Sequence, residues 1–155
     1  MSGVWLAGLA DLPAVARQAR RAATEDYGFY PAEVQATIAG RNALKPLIAA
    51  WRDPNRLIIG AWQNNVLMGN LIGTLDTDGI ASVHWIYVAP EGRGSGLAKQ
   101  LLQAFEDEVR RRNVPKIMLW TEIAPDYYRK IGWVEEAFLP NHWWGQTFFI
   151  FAKYL

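Results

Sequence analysis

A glycine-rich junction holds the first residues whose types and spacing could do chemistry. The segment "YVAPEGRGSGLAKQLLQAF", residues 87–105, places three glycines and Arg93 within the five positions from Gly92 to Gly96. A strand-like run precedes it, and a helical spacing of apolar residues follows it. At such a junction the first backbone N–H groups lack partners and point outward at the positive end of the helix dipole. The junction therefore predicts a phosphate site in which glycines let the ligand approach and Arg93 adds charge.

Two common phosphate motifs do not fit this spacing. A P-loop requires Gly-Lys-Ser/Thr after four intervening residues, but Lys99 follows Ala98 here. The dinucleotide fingerprint requires a small residue three places after Gly-x-Gly, and this slot is filled by Leu97 or Lys99. The junction is therefore neither of these motifs.

The segments around the junction alternate between helical and strand-like patterns. The first half predicts a short strand at Val4 to Gly8, a helix capped by Asp11, and a helical region from Ala32 to about Trp51 that Gly40 or Pro46 interrupts. Three β-rich runs follow, "RLIIGAW", "VLMGNLIGTL" and "IASVHWIYV". Because only the turn-like "QNN" and "DTDG" separate them, they predict an antiparallel meander.

The second half repeats the alternation around the junction. A helix with one apolar face runs from the junction to "RRRN", and "KIMLWT" predicts a strand. The segment "PDYYRKIGW" predicts a short helix that Gly132 stops, and "TFFIFAKYL" a closing strand. The fold class is therefore mixed α/β (α+β), as one domain over residues 1–155.

The composition excludes several classes of protein. Of the 155 residues, 51% are apolar and 20% charged, as in an ordinary globular chain. The net charge of +1, with scattered basic residues, makes neither a nucleic acid nor a membrane surface an expected partner. The sequence has no cysteine and two histidines, His84 and His142, so no disulfide, thiol nucleophile or metal is expected. The N-terminal segment lacks a signal-peptide pattern, and the expected location is the cytoplasm.

Two motifs together resemble a known family. Arg93-x-x-Gly96-x-Ala98, preceded by "YVAPEG" and followed by "KQLL", is similar to the acyl-CoA pyrophosphate loop of the GNAT superfamily of N-acetyltransferases. Downstream, "APDYYRKIGW" is similar to the family's Ala-x-x-Phe-Tyr-x-x-x-Gly-Phe segment. Ala124 fills the alanine slot and Tyr128 the tyrosine slot. Since both motifs occur in the family's order, the resemblance is specific, and it extends from about Arg56 to the C-terminus.

The resemblance implies a fold and a set of cofactor contacts. The expected sheet is mostly antiparallel and twisted, with a splayed parallel pair that lets the pantetheine arm of acetyl-CoA bond to the strand "WIYV". The implied contacts are Ile86, Tyr87, Val88, Arg93, Gly94, Ser95, Gly96, Leu97, Ala98, Lys99, Thr121 and Ala124. Thr121 stands where the family often has asparagine, and the glutamate often found on the strand before the loop is absent.

His84 and Tyr128 are the expected catalytic pair. Acetyl transfer needs a neutral amine, and an unperturbed imidazole pKa of about 6.5 suits a base. Strand alternation places His84 on one face with Ser82 and Ile86; the alternative is a histidine buried in the sheet. Tyr128, with a phenol pKa of about 10, is the expected acid toward the CoA thiolate. The alternative is that Tyr127 and Tyr128 are both core aromatics; by resemblance, Tyr127 is assigned to packing.

The acceptor side is less defined by the sequence. Trp143 and Trp144, in a loop-like segment, are candidates to line an acceptor pocket, and core packing is the alternative. Four acidic residues are candidates to attract a cationic amine or to be solvated surface groups: Glu25, Asp26, Glu122 and Asp126. His142 has no assigned role.

The resulting hypothesis is an N-acetyltransferase that moves an acetyl group from acetyl-CoA to a primary amine by direct attack in a ternary complex. A non-catalytic acyl-CoA sensor and an acyltransferase for longer acyl chains are the alternatives. The acceptor stays open among small amines, amino acids, antibiotics, peptide N-termini and protein lysines. A homodimer is compatible with the family.

Overall fold

The computed structural model describes residues 1–76 and 78–155 of the chain. Its strands are Gly3–Leu6 (β1), Arg56–Gln63 (β2), Val66–Leu75 (β3), Ile80–Val88 (β4), Lys116–Thr121 (β5), Val134–Trp143 (β6) and Gln146–Tyr154 (β7). Its helices are Leu12–Glu25 (α1), Ala32–Arg41 (α2), Leu44–Arg52 (α3), Leu97–Arg111 (α4) and Pro125–Lys130 (α5). Short 3-10 turns span Leu9–Asp11 and Pro90–Gly92.

Within the described residues, the strands form one sheet in the order β1-β2-β3-β4-β5-β7-β6. β4 and β5 run parallel, and every other neighbouring pair in this sheet is antiparallel. The predicted fold class, a mixed α/β fold with a mostly antiparallel sheet and a parallel pair, is confirmed.

The helices bury one apolar cluster on each face of the sheet. On one face, Leu12 and Val15 of α1 share a core with Ile72 and Trp85. On the other, Leu101 and Phe105 of α4 share a core with Leu71, Ile117 and further sheet residues. α4 approaches β3 closely because Gly73 has no side chain. A Cβ there would lie 2.5 Å from Phe105 Cε2 and 2.7 Å from the Ser82 carbonyl oxygen.

Most predicted elements are present. β2, β3 and β4 form the expected meander, and β5 spans the predicted residues. The predicted turn at residues 76–79 contains Thr77, which lies outside the described residues. The long helical region divides into α2 and α3 just after Gly40, and Pro46 lies in the first turn of α3, where proline costs little. Asp11 precedes α1 but accepts a hydrogen bond from the Gly8 N–H, 2.8 Å, instead of capping the helix.

One strand differs from the expectation. The segment around Trp143 and Trp144, predicted as loop-like, is the end of β6 and its turn into β7. β6 contains Pro140 and two register irregularities, and most of its side chains are exposed. Such a strand is tolerated because it lies at the edge of the sheet, and its composition does not resemble a buried strand.

Candidate functional site

The parallel strands β4 and β5 separate halfway along their length. Their pairing runs from Ile80–Lys116 to Val83–Leu119, and within the described residues no pair follows. Beyond this point a cavity of about 760 Å³, here named the strand cleft, opens between them. Both strands line it, together with the start of α4, residues around α5 and the segment after α1. The expected splayed pair is therefore present.

A β-bulge at His84 accompanies this separation. In the ladder with β3, Trp85 pairs with Ile72 and Val83 with Gly73, which leaves His84 as the additional residue. A bulge bends and twists a strand, so β4 turns away from β5 directly after the last parallel pair.

The bulge also reverses the alternation of β4. Ala81 and Val83 face the α4 side, but Ile86 and Val88 face it too, while Trp85 and Tyr87 face the α1 side. The expectation that His84 shares a face with Ile86 is therefore wrong, because one extra residue exchanges the faces.

The glycine-rich junction has the backbone that an anion site requires. Gly94 and Gly96 have φ of +80° and +81°, the left-handed region that favours glycine. Among the described residues, no heavy atom lies within 4 Å of a Cβ built on either glycine. Gly96 precedes α4 with no side-chain cap in the described chain, so the first N–H groups of α4, Leu97 to Lys99, face outward. Ser95 Oγ donates to the Gly92 carbonyl, 2.6 Å, and closes the turn.

Arg93 differs from its expected position as a cation free for phosphate. Its Nη2 donates to both carboxylate oxygens of Asp26, at 2.7 and 2.9 Å. Its Nε donates to the Val88 carbonyl, 3.0 Å, so this carbonyl already has a partner. The side chain thus links the junction to the end of α1 and to β4. Arg21 makes a second link, since its guanidinium pairs with Glu91 at 2.7 Å and Glu25 at 2.8 Å.

Tyr128 lies on the opposite wall of the strand cleft from β4. Ala124, at a φ of +55°, immediately precedes α5. Within α5, the ring of Tyr128 packs against those of Phe151 and Trp133. Tyr128 is buried, and this burial raises its pKa above the usual value of 10. The phenol therefore keeps its proton at neutral pH.

Two further tyrosines meet the same cleft. The hydroxyls of Tyr127 and Tyr87 are buried and have no hydrogen-bond partner within residues 1–76 and 78–155. A buried hydroxyl without a partner is costly, and these two oxygens are closed to solvent although both residues line the cleft. Tyr127, assigned to packing from the sequence, thus lies beside Tyr128 on the cleft wall.

Thr121 braces the turn between β5 and α5. Its Oγ1 donates to the Ile123 carbonyl at 2.5 Å and accepts from the Ile123 N–H at 3.0 Å. Both hydrogen-bonding functions of the hydroxyl are therefore engaged within the turn. The hydroxyl of Thr121, for which a cofactor contact is predicted, thus bonds within its own turn.

A second cavity of about 850 Å³, here named the aromatic cavity, lies beside the strand cleft. Its aromatic walls are Tyr27, Trp85, Trp120, Trp143 and Phe148. The residues that line both cavities are Tyr27, His84, Trp85, Trp120 and Glu122. Of the two tryptophans predicted for an acceptor pocket, Trp143 lines this cavity, as does His142, which had no predicted role.

His84 stands where the two cavities meet. Its Nε2 lies 2.9 Å from Thr74 Oγ1, so the imidazole is oriented by a hydrogen bond. Partial burial in the sheet lowers the pKa of His84 below 6.5; the positive charge of Arg56 acts in the same direction and Asp76 opposes it. The residue is exposed to solvent, in contrast to the alternative of a histidine buried in the sheet, so a neutral imidazole is presented to the cavities.

Glu122 is a carboxylate at the same meeting point. Tyr30 Oη donates to Glu122 Oε1 at 3.1 Å. Burial raises the pKa of Glu122 above 4.5, and this hydrogen bond partly opposes the shift. The sequence could not separate Glu122 from Glu25, Asp26 and Asp126, which all pair with arginines. Its position directly after β5, at the splayed end of the parallel pair, is the signal that could have identified it.

The described residues show no metal or membrane feature. Across residues 1–76 and 78–155, His, Asp and Glu side chains form no group of three or more that could hold a metal ion. In the same ranges, no helix combines the length and apolar character required to cross a bilayer.

Comparison with solved structures identifies the fold. The N-acetyltransferase PaiA from Thermoplasma acidophilum, solved with coenzyme A, aligns with a TM-score of 0.84 at 19% identity over 100% of this chain and 99% of that one. The ribosomal-protein-alanine N-acetyltransferase from Brucella melitensis aligns at 0.79 with 20% identity, over 99% of each chain. The aminoglycoside 6'-N-acetyltransferase from Enterococcus faecium aligns at 0.76 with 16% identity, over 98% and 96%. At these identities, the likeness shows a shared fold.

Sequence comparison identifies the family. No curated protein matches the chain significantly. The profile of the acetyltransferase (GNAT) family matches residues 14–133, which is most of the chain and includes the glycine-rich junction and Tyr128. The family inferred from the two motifs is therefore confirmed, and the chain belongs to the GNAT family of acetyltransferases.

Proposed function

We propose that this protein transfers an acetyl group from acetyl-CoA to a primary amine by direct attack in a ternary complex. The observation that carries the proposal is the meeting of two cavities at His84 and Glu122, in the gap where β4 leaves β5. One cavity has a phosphate-type backbone at its mouth, and the other has aromatic walls and a carboxylate. An acyl donor in the first cavity and an amine in the second could therefore be bound at the same time and meet at His84 and Glu122.

The strand cleft fits acetyl-CoA. The outward N–H groups from Gly94 to Lys99 would hold the pyrophosphate, because backbone donors at a helix N-terminus suit anions. The side of β4 turned away from β3, from Ile86 to Val88, would hold the pantetheine arm as an added strand does, through groups other than the Val88 carbonyl that Arg93 occupies. Ala124 and Thr121 lie across the cleft. When bound, acetyl-CoA supplies the acetyl group as an activated thioester.

His84, Glu122 and Tyr128 divide the proton chemistry. Glu122 draws the ammonium form of the acceptor to the meeting point, since a partly buried carboxylate favours a cation. His84, held neutral by its lowered pKa, accepts the proton that the amine must lose. The amine nitrogen then bonds to the acetyl carbon as the C–S bond breaks. Tyr128 donates its proton to the departing sulfur, and the second proton that the nitrogen loses on becoming an amide restores the Tyr128 phenol.

Calorimetric titration with acetyl-CoA tests the proposal, with Gly96→Ala as the informative variant. An alanine at φ +81° is strained and adds a methyl group to the anion site, so we expect at least roughly tenfold weaker binding. Gly145→Ala is the matched control: its φ is +73°, it too is open among the described residues, and it lies in the β6–β7 turn. Equal affinities of the two variants would contradict the anion site.

Measurements of turnover distinguish the acetyltransferase from the acyl-CoA sensor and from an acyltransferase for longer acyl chains. We expect release of free CoA, measured as new thiol, only when an amine is present. Binding of acetyl-CoA without thiol release from any amine would indicate the acyl-CoA sensor. Faster release from longer acyl-CoA thioesters would indicate the third hypothesis. The single domain over residues 1–155, the cytoplasmic location and a homodimer stay predictions.

A further inference from the structure

The charges of the aromatic cavity are separated along its length. Glu122 lies at the end that opens into the strand cleft, because it lines both cavities. Arg41 and Arg56 line the aromatic cavity and are absent from the lining of the strand cleft in the described chain. A molecule in this cavity thus meets a carboxylate near the reaction point and two guanidinium groups away from it.

Both arginines are placed to bind an anion. Arg41 ends α2, its guanidinium carbon lies 5.8 Å from the ring centre of Trp143, and it makes no ion pair within residues 1–76 and 78–155. Arg56 begins β2, and its ion pair with Asp53 is long, 3.7 Å, and solvent-exposed. A loose, exposed ion pair contributes little and is readily replaced by a ligand. Guanidinium groups suit carboxylates, with which they form paired hydrogen bonds.

The space between the charges has largely aromatic walls. Trp85, Trp120, Trp143 and Phe148 form its walls with Ile72. Trp85 is also buried, with no hydrogen-bond partner for its indole N–H in the described part of the chain. β2 and β5 are three strand spacings apart in the sheet, roughly 14 Å. Arg56 is in register with Met118, and Glu122 lies four residues further on, which adds roughly 13 Å along the strand. The backbone separation of roughly 20 Å is shortened by the long side chains at both ends to the length of a small molecule.

We propose that the acceptor is a small amine that also carries a carboxylate, with an aromatic-sized apolar body between the two charged groups. This inference rests on the proposed function for the amine end. The ammonium group meets Glu122, the body lies against the tryptophans, and the carboxylate meets Arg41 and Arg56. A polyamine fits poorly because its further positive charges would face the arginines.

Matched acceptor pairs test the inference. The carboxylate is present in one member of each pair and missing from the other: 4-(aminomethyl)benzoate with benzylamine, and 4-(2-aminoethyl)benzoate with phenethylamine. We expect kcat/KM to favour the carboxylate in at least one pair by roughly tenfold to hundredfold, the range of a charged hydrogen bond. Equal rates within both pairs, or a faster reaction with spermidine than with either acid, would overturn the inference.

Variants assign the preference to the arginines. Arg41→Gln should raise KM for the favoured acid while leaving the plain amine within about threefold. Arg56→Gln should also lower the ratio of kcat/KM for the acid to kcat/KM for the plain amine; the ratio is compared because Arg56 also acts on His84. Arg52→Gln is the control. Arg52 is an exposed arginine at the end of α3, and among the described residues it lines neither cavity. If neither Arg41→Gln nor Arg56→Gln reduces the preference, the inference is wrong.

Direct binding keeps the test independent of turnover. Three tryptophans line the aromatic cavity, so quenching of intrinsic fluorescence reports occupancy without any reaction. We expect tighter binding of the acid than of its matched amine, and loss of this difference in both arginine variants. If acetyl-CoA fails to bind in calorimetry but the acid retains its advantage, the proposed function fails and the carboxylate site stands. The reverse result would leave the acetyltransferase and remove the carboxylate site.

Discussion

At the scale of single residues, environment gives Tyr128, His84 and Glu122 different proton affinities at one point in the molecule. Burial keeps Tyr128 protonated, and the sheet together with Arg56 keeps His84 neutral. Burial makes Glu122 a weaker acid than an exposed carboxyl. An acid and a base that hold these states near neutral pH are the pair that acyl transfer requires.

Tyr128→Phe tests the acid. Without the phenolic proton, the leaving sulfur loses its donor, and kcat should fall by about 10²–10⁴-fold at unchanged affinity for acetyl-CoA. Stopped assays measure kcat, and calorimetry measures the affinity for acetyl-CoA. Tyr127→Phe is the matched control and should leave kcat within about twofold. A Tyr128→Phe enzyme that also stays within about twofold would remove Tyr128 from the chemistry.

His84→Gln tests the base through the pH profile. In the natural protein, kcat/KM should be sustained above the lowered pKa of His84 and decline as the pH falls through it, below 6.5, because the imidazole becomes protonated. Glutamine cannot titrate, so the variant should have a lower rate and no such acid limb. An unchanged rate and profile would leave His84 as a residue that only orders the bulge.

Tyr30→Phe tests Glu122 through its hydrogen bond. Tyr30 stabilises the ionised carboxylate, so its removal should raise the pKa of Glu122 further above 4.5. The carboxylate then becomes protonated at a higher pH, and KM for the amine should rise at acid pH earlier than in the natural protein. Tyr154→Phe, which removes a hydrogen bond to Glu136 away from both cavities, is the control. Coincident KM profiles of the two variants would exclude the role of Glu122.

At the scale of elements, the sequence predicts those helices and strands whose formation depends on local residue patterns. The helix after Asp11 was predictable from its apolar spacing, and the strand β5 from its short run of apolar and aromatic residues. β6 was not, since Pro140 and exposed side chains obscure an edge strand. The bulge at His84 was not either, because a one-residue insertion in a ladder depends on β3 as partner and leaves no local signal. The environment of Glu122 likewise depends on the segment between α1 and α2, whose Tyr30 reaches the end of β5.

The contact between α4 and β3 gives a prediction about stability. Gly73→Ala would force a methyl group against Phe105 and the Ser82 carbonyl, and should cost about 1–3 kcal/mol of unfolding free energy. Gly40→Ala, in α2 with no described atom within 4 Å of the new Cβ, should instead stabilise by about 0.5–1 kcal/mol. Urea denaturation of the two variants measures the difference. Equal free energies would show that α4 moves freely away from the sheet.

At the scale of the whole molecule, the ligand site connects elements distant in sequence. The strand cleft is bounded by β4, β5, α4, α5 and the segment after α1. Arg93, in the junction before α4, binds Asp26 and so connects this junction to the segment after α1. A ligand that binds the native state alone stabilises it by mass action.

Acetyl-CoA should therefore raise the melting temperature. At a concentration of about 100 times Kd, the stabilisation is about 2.7 kcal/mol, which corresponds to roughly 5–10 °C for a chain of this size. Thermal denaturation with and without acetyl-CoA measures the shift. Gly96→Ala should lose most of it and Gly145→Ala should keep it. A shift of equal size in both variants would place the binding site elsewhere.

The two outer strands of the sheet have a consequence for the behaviour of the protein at high concentration. β1, at one edge, has only four residues. β6, at the other, has a proline without an N–H, two irregularities that twist it, and the carboxylates of Glu135 and Glu136. An edge of this kind gives a second sheet few aligned donors with which to pair. Edge-to-edge aggregation is thereby disfavoured, although the sheet is open at both ends.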